Sequence, residues 1–409
     1  MKWPGLALFT RLSAHFEHCL PVESAAKVEL AQLAQTFLNM FEPLSGLVVG
    51  STRISRNEAR MFKGILSGLG ALVIAAIATV VLMQSSTEWS VGEVVRTPDS
   101  QFENLPDYDF EPNYVDVKGY RIHYVDEGPR DGQTVLLMHG QPSWSYLYRH
   151  MIPLLSEAGY RVIAPDNVGF GKSDKPVDWS SHTYQMHVDV MSGFVDAVEL
   201  EDATLFAQDW GGLIGLRVVE QRPDRFSRIM LSNTTLPAAG GIQGWLGYPL
   251  FRLSVWSEGD VQELDFDSEE LSFSNWVAYA RTSDEFDFAG LFQNATTREL
   301  SATELAGYAA PFPTEETMAG VRMFPTLVAS QLRENQAVLD EFYATWDKPL
   351  ITAFGEDDRL MAGQDKEWQE RVPGAKGQAH TLIEDGAHFI QDDQPEELVR
   401  LLDEFIKAN

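Results

Sequence analysis

The stretch Ala203-Thr204-Leu205-Phe206-Ala207-Gln208-Asp209-Trp210-Gly211-Gly212-Leu213-Ile214-Gly215 decides how this chain is read. Ala203–Phe206 is short and almost wholly apolar, as in a buried strand, and the residues from Gly211 onward fit the first turns of a helix packed closely on it. Ala207, Asp209 and Gly211 follow the small-x-nucleophile-x-small spacing of a strained strand-to-helix turn. Such a turn exposes one side chain and requires small neighbours. Serine at its centre implies esterase or lipase chemistry. Aspartate is already ionised at pH 7 and attacks without an activating base, so its natural target is an sp³ carbon bearing a leaving group. The competing reading is an ordinary helix-start aspartate that caps backbone N–H groups.

On either side of this turn, strand and helix patterns alternate. Tyr114–Val117 and Tyr120–Val125, joined across Lys118-Gly119, read as an antiparallel hairpin. Strands are predicted over Thr134–Met138, Arg161–Pro165, Ala203–Gln208, Ile229–Ser232, Pro349–Phe354 and Thr381–Ile383, with helices over Tyr146–Glu157, Tyr184–Leu200 and Pro395–Lys407. That order implies an α/β fold with a mostly parallel sheet and helices on both faces. From about Thr235 to Pro325 the rhythm breaks into aromatic-rich helical fragments. This span predicts a helical cap inserted over the carboxyl edge of the sheet, where such folds hold their ligands.

The remaining candidate catalytic residues fall at that edge. Of nine histidines, His388 is the one in a Gly-x-His turn after a strand late in the chain. The nucleophile–acid–base order expected for this type of fold becomes Asp209, Asp358, His388. Asp358 closes Gly355-Glu356-Asp357-Asp358, and its neighbour Asp357 competes for the same role. Asn233, after the strand ending at Ser232, cannot serve as the acid. His139-Gly140-Gln141-Pro142 is shaped to offer the Gln141 N–H as an oxyanion donor, with the Trp210 N–H as the second. His139 itself reads as structural rather than as a base.

Together these residues resemble the haloalkane dehalogenases of the α/β-hydrolase superfamily, in the subgroup whose triad acid follows the penultimate strand. The resemblance rests on His139-Gly140-Gln141-Pro142-Ser143-Trp144-Ser145-Tyr146-Leu147-Tyr148-Arg149, Gly169-Phe170-Gly171-Lys172-Ser173-Asp174-Lys175-Pro176 and Gln208-Asp209-Trp210-Gly211-Gly212. Tyr308-Ala309-Ala310-Pro311-Phe312-Pro313 and Ala319-Gly320-Val321-Arg322 add to it. It implies Asp209 as nucleophile, His388 as base and Asp358 as its partner. It also implies Trp210 and Trp276 as halide donors, with no metal and no organic cofactor. Without the resemblance Trp276 reads as a core aromatic of the cap, and only the resemblance makes it a halide donor. The Gln141 position often carries Glu or Asn in the family, so only the backbone role transfers. Two other functions remain open. An epoxide hydrolase would use cap tyrosines, for which Tyr279 and Tyr308 are available, and a catalytically silent protein could be built on the same fold.

Composition bounds the rest. The chain has 409 residues and a formal charge of −29, which excludes the electrostatic footprint of a nucleic-acid binder. The single cysteine, Cys19, excludes an intramolecular disulfide framework. Ile65–Met83 contains no charged residue over 19 positions and follows Arg53, Arg56, Arg60 and Lys63. This pattern predicts an uncleaved membrane helix over 64–84, with the N-terminus cytoplasmic and the catalytic domain on the periplasmic face of a bacterial inner membrane. The expected partners are then a small haloalkane, water and halide, and the membrane through residues 65–83. The expected organisation is an unassigned extension over 1–63, the membrane helix, a linker over 85–105, a hydrolase core over 106–234 and 322–409, and a cap over 235–321.

Overall fold

A strand buried on both faces needs helices above and below it. Ala203–Gln208 and Thr134–Met138 are buried along their whole length. The computed structural model describes residues 91–266 and 272–409, and these two strands stand at the centre of an eight-stranded sheet. In chain order the strands are β1 (Asn113–Val117), β2 (Tyr120–Glu127), β3 (Thr134–Met138), β4 (Arg161–Pro165), β5 (Ala203–Gln208), β6 (Phe226–Ser232), β7 (Leu350–Gly355) and β8 (Thr381–Ile383). Their spatial order is β8-β7-β6-β5-β3-β4-β2-β1. β1 and β2 are antiparallel, as are β2 and β4, and every other pair is parallel. The β1–β2 hairpin turns on Lys118 and Gly119, both at positive φ, which suits the right-handed twist of the flanking strands.

Helices α1 (Met151–Glu157), α2 (Tyr184–Ala197) and α3 (Trp210–Gln221) follow β3, β4 and β5. Thr183 caps α2 by accepting the Met186 N–H. Between β6 and β7 the chain forms α4 (Gly241–Glu258), α5 (Phe273–Thr282), α6 (Phe288–Asn294), α7 (Ala302–Ala309), α8 (Ala319–Leu327) and α9 (Leu332–Ala337). α10 (Asp365–Arg371) links β7 to β8, and α11 (Pro395–Ala408) closes the chain with Leu398, Leu401, Leu402, Phe405 and Ile406 against the core.

The β5 register with β3 pairs Ala207 with Met138, and its register with β6 pairs Gln208 with Ser232. The turns after all three strands therefore meet at one edge, and the turns after β7 and β8 join them through the Gly355–Ile383 pair. Before β1 the described part of the predicted linker, 91–105, packs on the domain. Val94–Val95 pairs with Lys175–Pro176, the Thr97 hydroxyl donates to the Pro311 carbonyl, and the Phe102 ring lies edge-on to Trp144 at 5.4 Å. Burial of Phe102 ties this segment to the core, which the polar composition of 85–105 does not announce. Among the described residues no helix is long and apolar enough to cross a membrane. The stretch 65–83, and the residues before it, lie outside the described residues.

Candidate active site

Asp209 holds the strand-to-helix turn at φ 49°, ψ −127°, a conformation costly for any residue with a Cβ. Its carboxylate makes no capping hydrogen bond to α3, so the helix-cap reading fails. The turn is tight enough that a Cβ on Gly211 would collide with the Met138 carbonyl, and one on Gly140 with the Asp209 side chain itself. Glycine at both positions lets the β3 and β5 turns close on each other.

The two oxygens of Asp209 have different neighbours. Oδ1 accepts the Gln141 backbone N–H at 2.7 Å, while Oδ2 lies 3.6 Å from His388 Nε2. His388 Nδ1 faces Asp358 Oδ2 at 2.9 Å. Asp358 is 2% exposed, and its other oxygen accepts the Leu360 and Met361 N–H groups at 2.8 and 3.2 Å. Asp357 is exposed and makes no contact with His388, so the adjacent candidates separate cleanly. Burial pulls the His388 imidazole down, but the Asp358 and Asp209 carboxylates outweigh it and push it up to about 10. Burial likewise opposes ionisation of Asp358, and the His388 contacts with the two backbone donors bring it below its ordinary value.

His139 is neutral and structural. Its Nε2 accepts the Asn167 N–H at 3.0 Å, its Nδ1 donates to the Gly140 carbonyl at 2.8 Å, and burial depresses its basicity. Trp210 is the first residue of α3, so its N–H has no intrahelical partner. Its indole meets Phe324 at 4.8 Å and Tyr184 at 5.4 Å, and its Nε1–H makes no hydrogen bond among the described residues. Trp276 stacks on Tyr279 at 6.0 Å and packs against the buried cluster of Val255, Val277 and Ala278. No hydrogen bond or ring contact joins it to Asp209 or Trp210. The Gln141 side chain donates to the Val321 carbonyl on α8 at 3.0 Å, which ties the oxyanion turn to the inserted helices.

The chain matches the family model described as the alpha/beta hydrolase fold over residues 133–395. It is 44% identical over 327 residues to a haloalkane dehalogenase of Psychrobacter cryohalolentis, covering 78% of this chain and 99% of the relative. A haloalkane dehalogenase of Mycobacterium marinum is 40% identical, covering 75% and 97% of the two chains. The tetrameric structure of a haloalkane dehalogenase from Paraglaciecola agarilytica superposes with a TM-score of 0.64 at 27% identity, over 78% of this chain and 99% of that one. The chain belongs to the haloalkane dehalogenase family.

The dehalogenase reading accords with the tyrosines. The Tyr308 hydroxyl donates to Asp392 and accepts from Arg149, and the Tyr279 hydroxyl donates to the Glu285 carbonyl and accepts the Asp287 N–H. Both are engaged away from Asp209, which removes the pair an epoxide hydrolase would need. The expected membrane location of the dehalogenase is corrected. No described helix supplies a span, and these two relatives complete 97–99% of their own length within about three quarters of this chain.

Sequence reasoning missed two amides. Asn233, dismissed as a non-acid, donates Nδ2–H to the Ala387 and His388 carbonyls at 2.7 and 3.2 Å and accepts the Gly355 N–H at 2.8 Å. Its own carbonyl accepts the Asp209 N–H at 3.0 Å. One residue thereby cross-links the turns carrying all three triad candidates. The available signal was an Asn directly after a strand, a residue type that tolerates the left-handed region this junction uses at φ 44°. Gln208 donates to the His388 carbonyl at 3.0 Å, and nothing in a buried strand end advertises that contact.

Proposed function

We propose that this haloalkane dehalogenase works through Asp209, His388 and Asp358, with Gln141, Trp210 and Trp276 as its stabilising donors. Asp209 Oδ2 attacks the halogen-bearing carbon in line, the carbon–halogen bond breaks, and halide leaves with the bonding pair. Indole N–H groups of Trp210 and Trp276 receive the developing negative charge in an apolar pocket. The product is an alkyl ester on Oδ2, with Oδ1 as its carbonyl oxygen. His388 then takes a proton from a water that attacks the ester carbon, and Asp358 holds the imidazole and balances its charge. The Gln141 and Trp210 N–H groups stabilise the oxyanion that forms on Oδ1, which collapses to release the alcohol.

What carries this assignment is the unequal treatment of the two carboxylate oxygens. Oδ1 already accepts the Gln141 N–H at 2.7 Å, leaving Oδ2 free on the His388 side at 3.6 Å. Ester formation also prepares the second step. It neutralises Asp209 and so removes one of the two carboxylates that hold the His388 proton. Residues 235–321 act as the cap over this turn and 106–234 with 322–409 as the core. Support comes from Val321 accepting from the Gln141 side chain, Ala295 accepting the Phe389 N–H, and Gly307 accepting the Trp144 indole N–H.

The test is to trap the ester. His388→Gln protein given a short terminal bromoalkane should release one equivalent of bromide and stall. Its intact mass should rise by one alkyl group, mapped to Asp209. An unmodified protein that has released no bromide would overturn the roles.

A further inference from the structure

We propose that Gln208 is a positioning residue for the second half-reaction, holding His388 with a bare Nε2 toward the ester once Asp209 has been alkylated. This rests on the roles assigned above to Asp209 and His388. Gln208 is the last residue of β5, fully buried, immediately before the nucleophile. Its Nε2 lies 3.0 Å from the His388 carbonyl oxygen and 3.2 Å from His388 Nε2. The carbonyl fixes the orientation of the amide, because an oxygen turned toward it would face another acceptor. The second amide hydrogen is then aimed at the imidazole. It forms a hydrogen bond only when His388 Nε2 carries a lone pair, with the ring proton on Nδ1 toward Asp358 at 2.9 Å.

Two groups therefore compete for one nitrogen. The Asp209 carboxylate favours the protonated ring, and the Gln208 amide favours the neutral Nδ1–H form. Asp358, on the other nitrogen, also favours the protonated ring, and the Phe389 ring packs on the imidazole at 5.2 Å without charge. Asp393 reaches the same turn through the Ala387 N–H rather than through the ring. Alkylation removes the Asp209 charge and leaves the amide facing Nε2 unopposed at that atom, at the step where a base is needed. Gln208 Oε1 is sealed in the interior without a hydrogen-bond partner. A buried unpaired acceptor lowers stability, and an apolar side chain of the same size would avoid that. The donor end supplies the reason for an amide here.

The full-length wild type, Gln208→Met and Gln208→Glu proteins are compared in single turnovers with a short terminal bromoalkane. Bromide release reads alkylation, and decay of the alkylated mass reads hydrolysis. Gln208→Met should alkylate within about twofold of wild type and hydrolyse the ester roughly three- to tenfold more slowly at neutral pH. The deficit should shrink as pH rises, because the missing donor had disfavoured the protonated ring. Gln208→Glu sets a carboxylate against Nε2 and should be slower still in hydrolysis, and it decides the question if the methionine variant does not fold. Equal slowing of both steps, or a hydrolysis deficit that is the same at every pH, refutes the positioning role. A His388→Gln protein that shows no alkylated mass under the same conditions refutes the Asp209 and His388 roles instead, and the inference with them.

Discussion

Replacing Asp209 with asparagine imitates the charge state of the ester, so it should move the proton equilibrium of His388 by an amount the geometry bounds. Asp209 Oδ2 and His388 Nε2 are 3.6 Å apart, and the two side chains are 14% and 9% exposed. At an effective dielectric between about 80 and 20, unit charges at that separation interact by roughly 1–5 kcal/mol. This corresponds to a fall of about 1 to 3 pH units from the wild-type position near 10. Asp358 remains at 2.9 Å, so the imidazole stays more basic than burial alone would leave it. The sign carries over to stability. A histidine raised above its ordinary 6.5 contributes fully below that pH and loses the contribution as pH climbs toward 10. Wild-type stability should therefore decline more steeply across that interval than that of Asp209→Asn. The assay is an NMR titration of the His388 ring, identified by its absence in His388→Gln, with intact mass excluding deamidated protein. A midpoint in Asp209→Asn equal to or above the wild-type value would refute the charge competition on which the two-step mechanism rests.

Trp276→Phe keeps an aromatic ring against Tyr279 and Phe286 but removes the indole N–H. It should weaken bromide binding and slow alkylation roughly 10- to 100-fold, measured by fluorescence quenching and single-turnover bromide release; unchanged values would make Trp276 a cap-core aromatic only. Arg149→Met should destabilise the fold by about 3–5 kcal/mol in denaturant titration, because it strips a buried partner from Asp392 and Glu304 while Arg298 compensates only at the rim. A loss below about 1 kcal/mol would show that this ion-pair network is energetically neutral.

The sequence by itself determined the sheet and the nucleophile turn. Thr134–Met138, Arg161–Pro165, Ala203–Gln208 and Thr381–Ile383 appear with the boundaries read from the chain. Three are largely apolar runs between turn residues, and Thr381–Ile383 is a short one before Asp385-Gly386. The Ala-x-Asp-x-Gly spacing works for a similar reason, since the steric demand of a sharp turn acts between residues two apart. Other features depend on tertiary packing. Asp357 and Asp358 are chemically identical neighbours, and only the turn after β7 decides that one reaches His388 while the other meets solvent. Asn233 and Gln208 gain their roles from partners 122 to 180 residues away. A hydrogen bond across such separations exists because several strands stop at the same edge of a sheet, and that meeting is a property of the packed whole rather than of any window of residues.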